Sequence, residues 1–223
     1  MEIKNSSTII ADRLRQEHIK DWNALLNHKF ITGMANDSLP LEKFIFYLKQ
    51  DHLFLKEFCL FLRNANTKST EPKMKEFFDS VYQGTVDYEM PMQKDLLSSL
   101  GISDFEDVLV KAAPATDNYN SFLKRASSGS LEGKLSAMAP CPWSYLEIAE
   151  KLSNHGHTRT KAYCKWFQFY ASKESQLQVE ELKAILGELY NKADLNEQQL
   201  MRIHFGTACK HEYSFWEMAY NTT

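Results

Sequence analysis

Apolar residues along this chain return at spacings of three, four and seven, the period of a helix that buries one side. The valine- and isoleucine-rich alternation that strands need is missing. The pattern predicts helices over residues 7–28, 40–66, 71–100, 104–110, 116–127, 130–153, 159–173, 175–190 and 195–221. Two starts carry a mechanical signal. Ser38-Leu39-Pro40 with Glu42 behind it offers a cap and a proline where the first turn leaves an N–H unused, and Asp194 stands before Leu195 and Glu197 in a similar way. Interruptions near Gly101, Gly129, Gly133 and Gly156 read as connections inside one bundle, and no repeat, low-complexity tract or long linker divides the chain. One all-α domain over residues 1–223 is expected.

Three residues break this pattern. The segment from Phe44 to Phe58, FIFYLKQDHLFLKEF, is too apolar for an exposed helix, and Asp51 lies on its stripe with Phe44, Tyr47, Leu48, Phe54, Leu55 and Phe58. A carboxylate there is costly unless bonded, so either a polar network satisfies it or a ligand in a cavity does. In the last helix Glu212 shares a face with Phe205, Cys209, Phe215, Trp216 and Ala219, and it is half of a buried ion pair, a partly exposed edge residue, or an acid or base tuned upward by desolvation. Pro140 and Pro142 bracket Cys141 and set it in the first turn of a helix, with Tyr145 one turn later. Free backbone donors and the positive helix end predict a lowered thiol pKa there. Cys59, Cys164 and Cys209 fall inside helices and read as small buried hydrophobes.

Composition narrows the function classes. With 43% hydrophobic and 13% aromatic residues, the 223-residue chain can build a core without a metal or disulfide staple. A net charge of −3 and the absence of Lys/Arg clusters argue against nucleic acid as a partner. The four cysteines form no CxxC pair, no signal-peptide pattern opens the chain, and no apolar run reaches the length of a membrane span. A soluble cytoplasmic protein is expected. The histidines form no ligand set: His155 and His157 fall in a polar turn, His18 and His204 stand alone, His28 precedes an apparent loop, and His52 and His211 adjoin the inward acids. Without any Glu-x-x-His pair, no metal site is expected.

Read together, QDHLFL (50–55), Tyr119 in DNYNSF, MAPCPWSYLEIAEKL (138–152), KWFQFY (165–170) and HEYSFWEMAY (211–220) resemble the TenA family, the thiaminase II enzymes, in order and across nearly the whole chain. The resemblance implies a haem-oxygenase-like helical bundle, assembled as a homo-oligomer, commonly a tetramer, with no cofactor. It implies hydrolysis of 4-amino-5-aminomethyl-2-methylpyrimidine to the hydroxymethylpyrimidine and ammonia, and cleavage of thiamin into its pyrimidine and thiazole parts. Carried over, it assigns the nucleophile to Cys141, the acid/base to Glu212 and the pyrimidine anchor to Asp51. Tyr145 and Tyr170 then orient thiol and water, while Tyr119 and Phe215 stack on or border the ring.

Two positions depart from the family pattern. Phe54 stands where Gln-Asp-x-x-Tyr has its tyrosine, and Gln93 stands where many relatives carry histidine four residues after the equivalent of Glu89. Phe54 motivates a second reading, a weakly active or non-catalytic pyrimidine-binding protein of the same fold. Haem binding through His18 would rest on analogy of fold alone. Tyr47, Tyr163, Trp166 and Trp216 read as packing. The enzyme reading requires Cys141, Asp51 and Glu212 to meet around one aromatic-walled chamber.

Overall fold

A computed structural model describes residues 2–102, 110–155 and 158–222. In chain order the helices are α1 (Glu2–Glu17), α2 (Ile19–Leu26), α3 (Lys29–Ala35), α4 (Leu41–Lys68), α5 (Pro72–Gly84), α6 (Met90–Ser99), α7 (Pro114–Ala126), α8 (Leu131–Met138), α9 (Pro140–His155), α10 (Lys161–Tyr170), α11 (Lys173–Lys192) and α12 (Leu195–Asn221). A π-turn, Thr85–Glu89, joins α5 to α6. No strand occurs among the described residues, as the missing alternation predicts.

Two long helices organise the bundle because each carries a continuous inward stripe. On α4 it runs through Phe44, Tyr47, Leu48, Asp51, Phe54, Leu55, Phe58 and Leu62. On α12 it runs through Met201, Phe205, Ala208, Cys209, Glu212, Phe215, Trp216 and Ala219. The two helices pack together, with α5, α6 and α7 on the flanks of α4 and α2, α3, α7, α8 and α9 around α12. α1 lies along α11, and α10 lies against α9. Asp51 and Glu212 therefore sit mid-stripe on facing helices, at 3% and 1% exposure, where each must find polar partners.

The elements differ from the expected ones in four places. The helix expected over 7–28 breaks at His18, because α1 follows α11 while α2 turns onto α12 and α9, and no Gly or Pro marks that change. The loop expected after His28 holds α3, which buries Phe30, Ile31 and Met34 and is capped by His28 Nδ1 accepting from the Phe30 N–H at 3.1 Å. The helix expected over 130–153 divides at Ala139, since Pro140 has no N–H to continue the ladder. The helix expected over 71–100 contains the π-turn, whose extra residue rotates everything after it. Residues 103–109, most of one expected short helix, and His157 lie outside the described residues.

Two polar braces hold the site elements in register. Glu147 on α9 accepts from Arg15 Nη2 (3.0 Å), Trp22 Nε1 (2.9 Å) and Trp143 Nε1 (2.8 Å), tying α1 and α2 to α9. Gln50 donates to the Lys111 carbonyl (3.0 Å) and accepts from the Ala113 N–H (2.9 Å) and Thr116 Oγ1 (2.7 Å). That second brace fixes the start of α7 beside Asp51 and so places Tyr119, one turn further on.

Candidate active site

α4, α7, α9, α10, α12 and the π-turn converge on one buried polar cluster. Tyr119 Oη on α7 donates to Glu212 Oε1 at 2.6 Å, and the Cys141 thiol at the start of α9 is electrostatically coupled to the same carboxyl group. Asp51 Oδ2 accepts from Tyr47 Oη at 2.9 Å and from Gln93 Nε2. Tyr47 also accepts from Trp166 Nε1 at 3.2 Å and contacts Tyr145 Oη at 3.4 Å. On α10, Tyr170 Oη donates to Glu89 Oε1 at 2.7 Å. Cys141 and Glu89 are only half-buried, so the cluster borders space that a water-sized molecule can enter.

Electrostatics link the groups that hydrogen bonds do not. Burial raises the Glu212 carboxyl to about 7, against the hydrogen bonds from Tyr119 and Cys141 that favour its charged form. Burial likewise raises Glu89 to about 7, opposed by Tyr170 and Thr85. Asp51 is driven well above the usual carboxylate range by burial first and then by the charge of Glu89, with Glu212 adding to it. Burial also pushes the Cys141 thiol well up, and the fields of Glu212, Glu89 and Asp51 all add to that effect. The lowered thiol pKa expected from the helix N-terminus is therefore reversed. Cys141 does sit in the first turn of α9, but desolvation, with the three acids adding to it, pushes the thiol the other way.

Aromatic rings enclose the cluster. Phe54 lies 4.7 Å from Tyr119 and 6.0 Å from Phe215, and Tyr145 lies 5.0 Å from Tyr170 and 5.2 Å from Trp216. One face of Tyr119 is taken by His211, parallel to it at 5.0 Å, so ring stacking on Tyr119 must use its other face. Thus Cys141, Glu212, Asp51, Tyr145, Tyr170, Tyr119, Phe54 and Phe215 meet in one region.

Sequence reasoning missed several members of the cluster. Tyr47 and Trp166, read as packing, carry hydrogen bonds in the Asp51 network, whereas Tyr163 bonds the Leu39 carbonyl and belongs to the scaffold. Glu89 and Gln93 also belong to the cluster, and their spacing of four residues is the sequence sign that they share a face. His18 stacks on Phe205 and packs tightly against Gly206, away from the cluster. No group of three or more His, Cys, Asp or Glu with metal-holding geometry occurs among the described residues. A surface concavity of about 340 Å³ lined by Lys29, Thr32, Ser38, Lys43 and Tyr220 contains none of these groups.

The arrangement is thus a thiol, three carboxyl groups raised by burial, and aromatic walls, and it can be set beside known proteins. The TENA/THI-4/PQQC family model matches residues 15–222. An aminopyrimidine aminohydrolase of Halalkalibacterium halodurans is 32% identical over 202 residues, covering 90% of each chain. One of Helicobacter pylori is 30% identical over 217 residues, covering 96% of this chain and 99% of its own. Among solved structures, a TenA homologue from P. horikoshii superposes with a TM-score of 0.85 at 28% identity, covering 95% of this chain and 98% of its own. A Shewanella denitrificans domain with a haem-oxygenase-like fold gives a TM-score of 0.74 at 16% identity over 93% of this chain and 90% of its own, which speaks to the fold alone. With the matched region spanning α2 through α12 and every expected site residue inside it, the chain belongs to the TENA/THI-4/PQQC family.

Proposed function

We propose that this protein is a C–N hydrolase that converts 4-amino-5-aminomethyl-2-methylpyrimidine to the hydroxymethylpyrimidine with release of ammonia, and that it can also cleave thiamin. The observation that carries the reading is the chain Cys141–Glu212–Tyr119 in one buried cluster with Asp51. The names of the two relatives at 32% and 30% identity support the substrate class.

Each group has a physical task. Asp51, held toward its protonated form, matches the amidine edge of an aminopyrimidine, sharing one proton with a ring nitrogen while accepting from the exocyclic amine. Glu212, coupled to the Cys141 thiol, takes the thiol proton and passes it to the other ring nitrogen, for which a carboxyl near 7 is suited. The sulfur then adds to the now electrophilic ring. Expulsion of the group on the exocyclic methylene and addition of water follow, and the sulfur leaves the ring with return of the proton through Glu212. Tyr119 steadies Glu212, Tyr145 and Tyr170 orient thiol and water, and Phe54 and Phe215 close the aromatic slot.

The test is side-by-side steady-state kinetics of ammonia release from the aminomethylpyrimidine and of thiazole release from thiamin. Binding of the pyrimidine without release of ammonia would leave only a binding protein, the alternative that Phe54 motivates. The same reading carries a homotetramer, checked by light scattering in solution.

A further inference from the structure

Glu89 has no task in the scheme above, yet it sits on the π-turn with its carboxyl held by Tyr170 Oη at 2.7 Å, and its charge acts on both Asp51 and Cys141. π-turns recur at functional sites because one inserted residue re-aims the side chains around it. Here Tyr88 is left outward at 68% exposure, while its neighbour Glu89 joins the cluster. One helical turn on, Gln93 is 0% exposed and donates Nε2 to Asp51, but its Oε1 has no hydrogen-bond partner among the described residues. A buried amide oxygen without a donor is costly and points to a donor that arrives with a ligand. A carboxylate and an amide oxygen one turn apart, beside the anchor for the pyrimidine ring, form an acceptor pair suited to an ammonium group, which offers three N–H donors and no acceptor.

Resting on the proposed function, we infer that Glu89 and the Gln93 side-chain oxygen bind the aminomethyl arm of the substrate in its ammonium form. On this assignment the π-turn sets specificity for the leaving group, whereas Asp51 sets specificity for the ring. The chemistry balances with Glu89 as a proton station. The arm binds as –CH2–NH3+, and when the C–N bond breaks its electron pair leaves on nitrogen as NH3. Water forms the new C–O bond and gives one proton to the Glu89 carboxylate, which passes it to the departing ammonia. The sum is RCH2NH3+ plus H2O to RCH2OH plus NH4+.

The test compares two ligands that differ only in the arm. Dissociation constants of the aminomethylpyrimidine and of the hydroxymethylpyrimidine are measured by calorimetry at pH 8 for the wild type, Glu89→Gln and Glu89→Asp. Loss of one charge-assisted hydrogen bond should weaken the aminomethyl ligand roughly ten- to a hundredfold in Glu89→Gln, with the hydroxymethyl ligand changing less than about twofold. Glu89→Asp keeps the charge and should recover part of the preference. Tyr170→Phe removes the hydroxyl that holds Glu89 and should weaken the aminomethyl ligand more than the hydroxymethyl ligand, and a parallel loss of both would count against the inference. Equal weakening of both ligands by Glu89→Gln, or no weakening of either, would overturn the inference while leaving the ring site intact. A wild type that binds neither ligand would instead remove the proposed function itself.

Discussion

Replacing Glu212 by glutamine should make this protein more stable at alkaline pH while stopping its chemistry. The Glu212 carboxyl is raised from 4.5 to about 7 by burial, so the unfolded chain ionises first as the pH climbs. A group raised in this way contributes stability below its unfolded pKa and loses it as pH rises through the folded value. At 1.36 kcal/mol per pKa unit, holding this residue in the fold costs about 3 kcal/mol at pH 8 and about 1 kcal/mol at pH 5. Glutamine is isosteric and keeps an oxygen for Tyr119 and Cys141, but its amide hydrogens need partners at a cost of about 1 kcal/mol. The net gain is then about 2 kcal/mol at pH 8 and near zero at pH 5, or roughly 4–8 °C in Tm at pH 8 for a chain of this length. Thermal denaturation followed by circular dichroism from pH 5 to 8.5, with ammonia release measured in parallel, checks both halves. Wild-type and Glu212→Gln melting curves that stay a constant distance apart across that range would refute the reasoning, because no ionisation of a buried Glu212 would then be contributing.

Other substitutions divide the roles further. Cys141→Ser should cut kcat on the order of a thousandfold while leaving the affinity for the hydroxymethylpyrimidine unchanged, whereas Asp51→Asn should weaken that affinity roughly ten- to a hundredfold; equal losses of both quantities in the two variants would contradict the division. Because burial and three acids push its thiol up, Cys141 in the empty protein should react with iodoacetamide at pH 7.5 at less than about a tenth the rate of an unstructured cysteine, read by peptide mass spectrometry, and rapid labelling would overturn that electrostatic picture. At Gly206 an added Cβ would stand 2.4 Å from His18 Cε1, so Gly206→Ala should cost about 1–3 kcal/mol in urea denaturation, and an unchanged midpoint would mean that the His18 ring moves freely. Phe54→Tyr adds a hydroxyl to a ring whose centroid lies 4.7 Å from that of Tyr119 and should raise kcat severalfold at unchanged KM; a fall in stability without a gain in turnover would count against a positioning role.

Helical periodicity made Asp51 and Glu212 legible, because each sits in a run of apolar residues repeating at helical spacing, and a charged residue there stands out without any coordinates. Cys141 was legible from its flanking prolines. The acidic side of the site was harder to see. A 3.6-residue reading carries residues 71–100 as one continuous helix and points Tyr88 inward, three and seven residues after Thr85 and Val81, whereas the π-turn leaves Tyr88 outside and brings Glu89 to Tyr170. Tyr47 shows only its ring to a hydrophobicity pattern, although its hydroxyl lies one turn from Asp51 and donates to it at 2.9 Å. The direction of the Cys141 pKa shift failed for a different reason. The helix N-terminus is local and visible in the sequence, whereas the opposing charges come from α4, α12 and the π-turn, and only the tertiary fold brings them together.

That failure bears on how the nucleophile would be activated. A helix end contributes up to about 1–2 kcal/mol toward a thiolate, and here it acts against desolvation and three negative groups. A single positive charge about 6 Å from the sulfur, in an effective dielectric of about 20, is worth roughly 3 kcal/mol, or about two pKa units. Protonation of the pyrimidine ring and the ammonium arm each supply one such charge. On the proposed function, the cluster disfavours thiolate while empty and a cationic aminopyrimidine would lower that cost, which would tie formation of the nucleophile to the arrival of the substrate. On the same reading the acids would keep the thiol from indiscriminate reaction between turnovers, which offsets the stability cost of holding Asp51 and Glu212 buried.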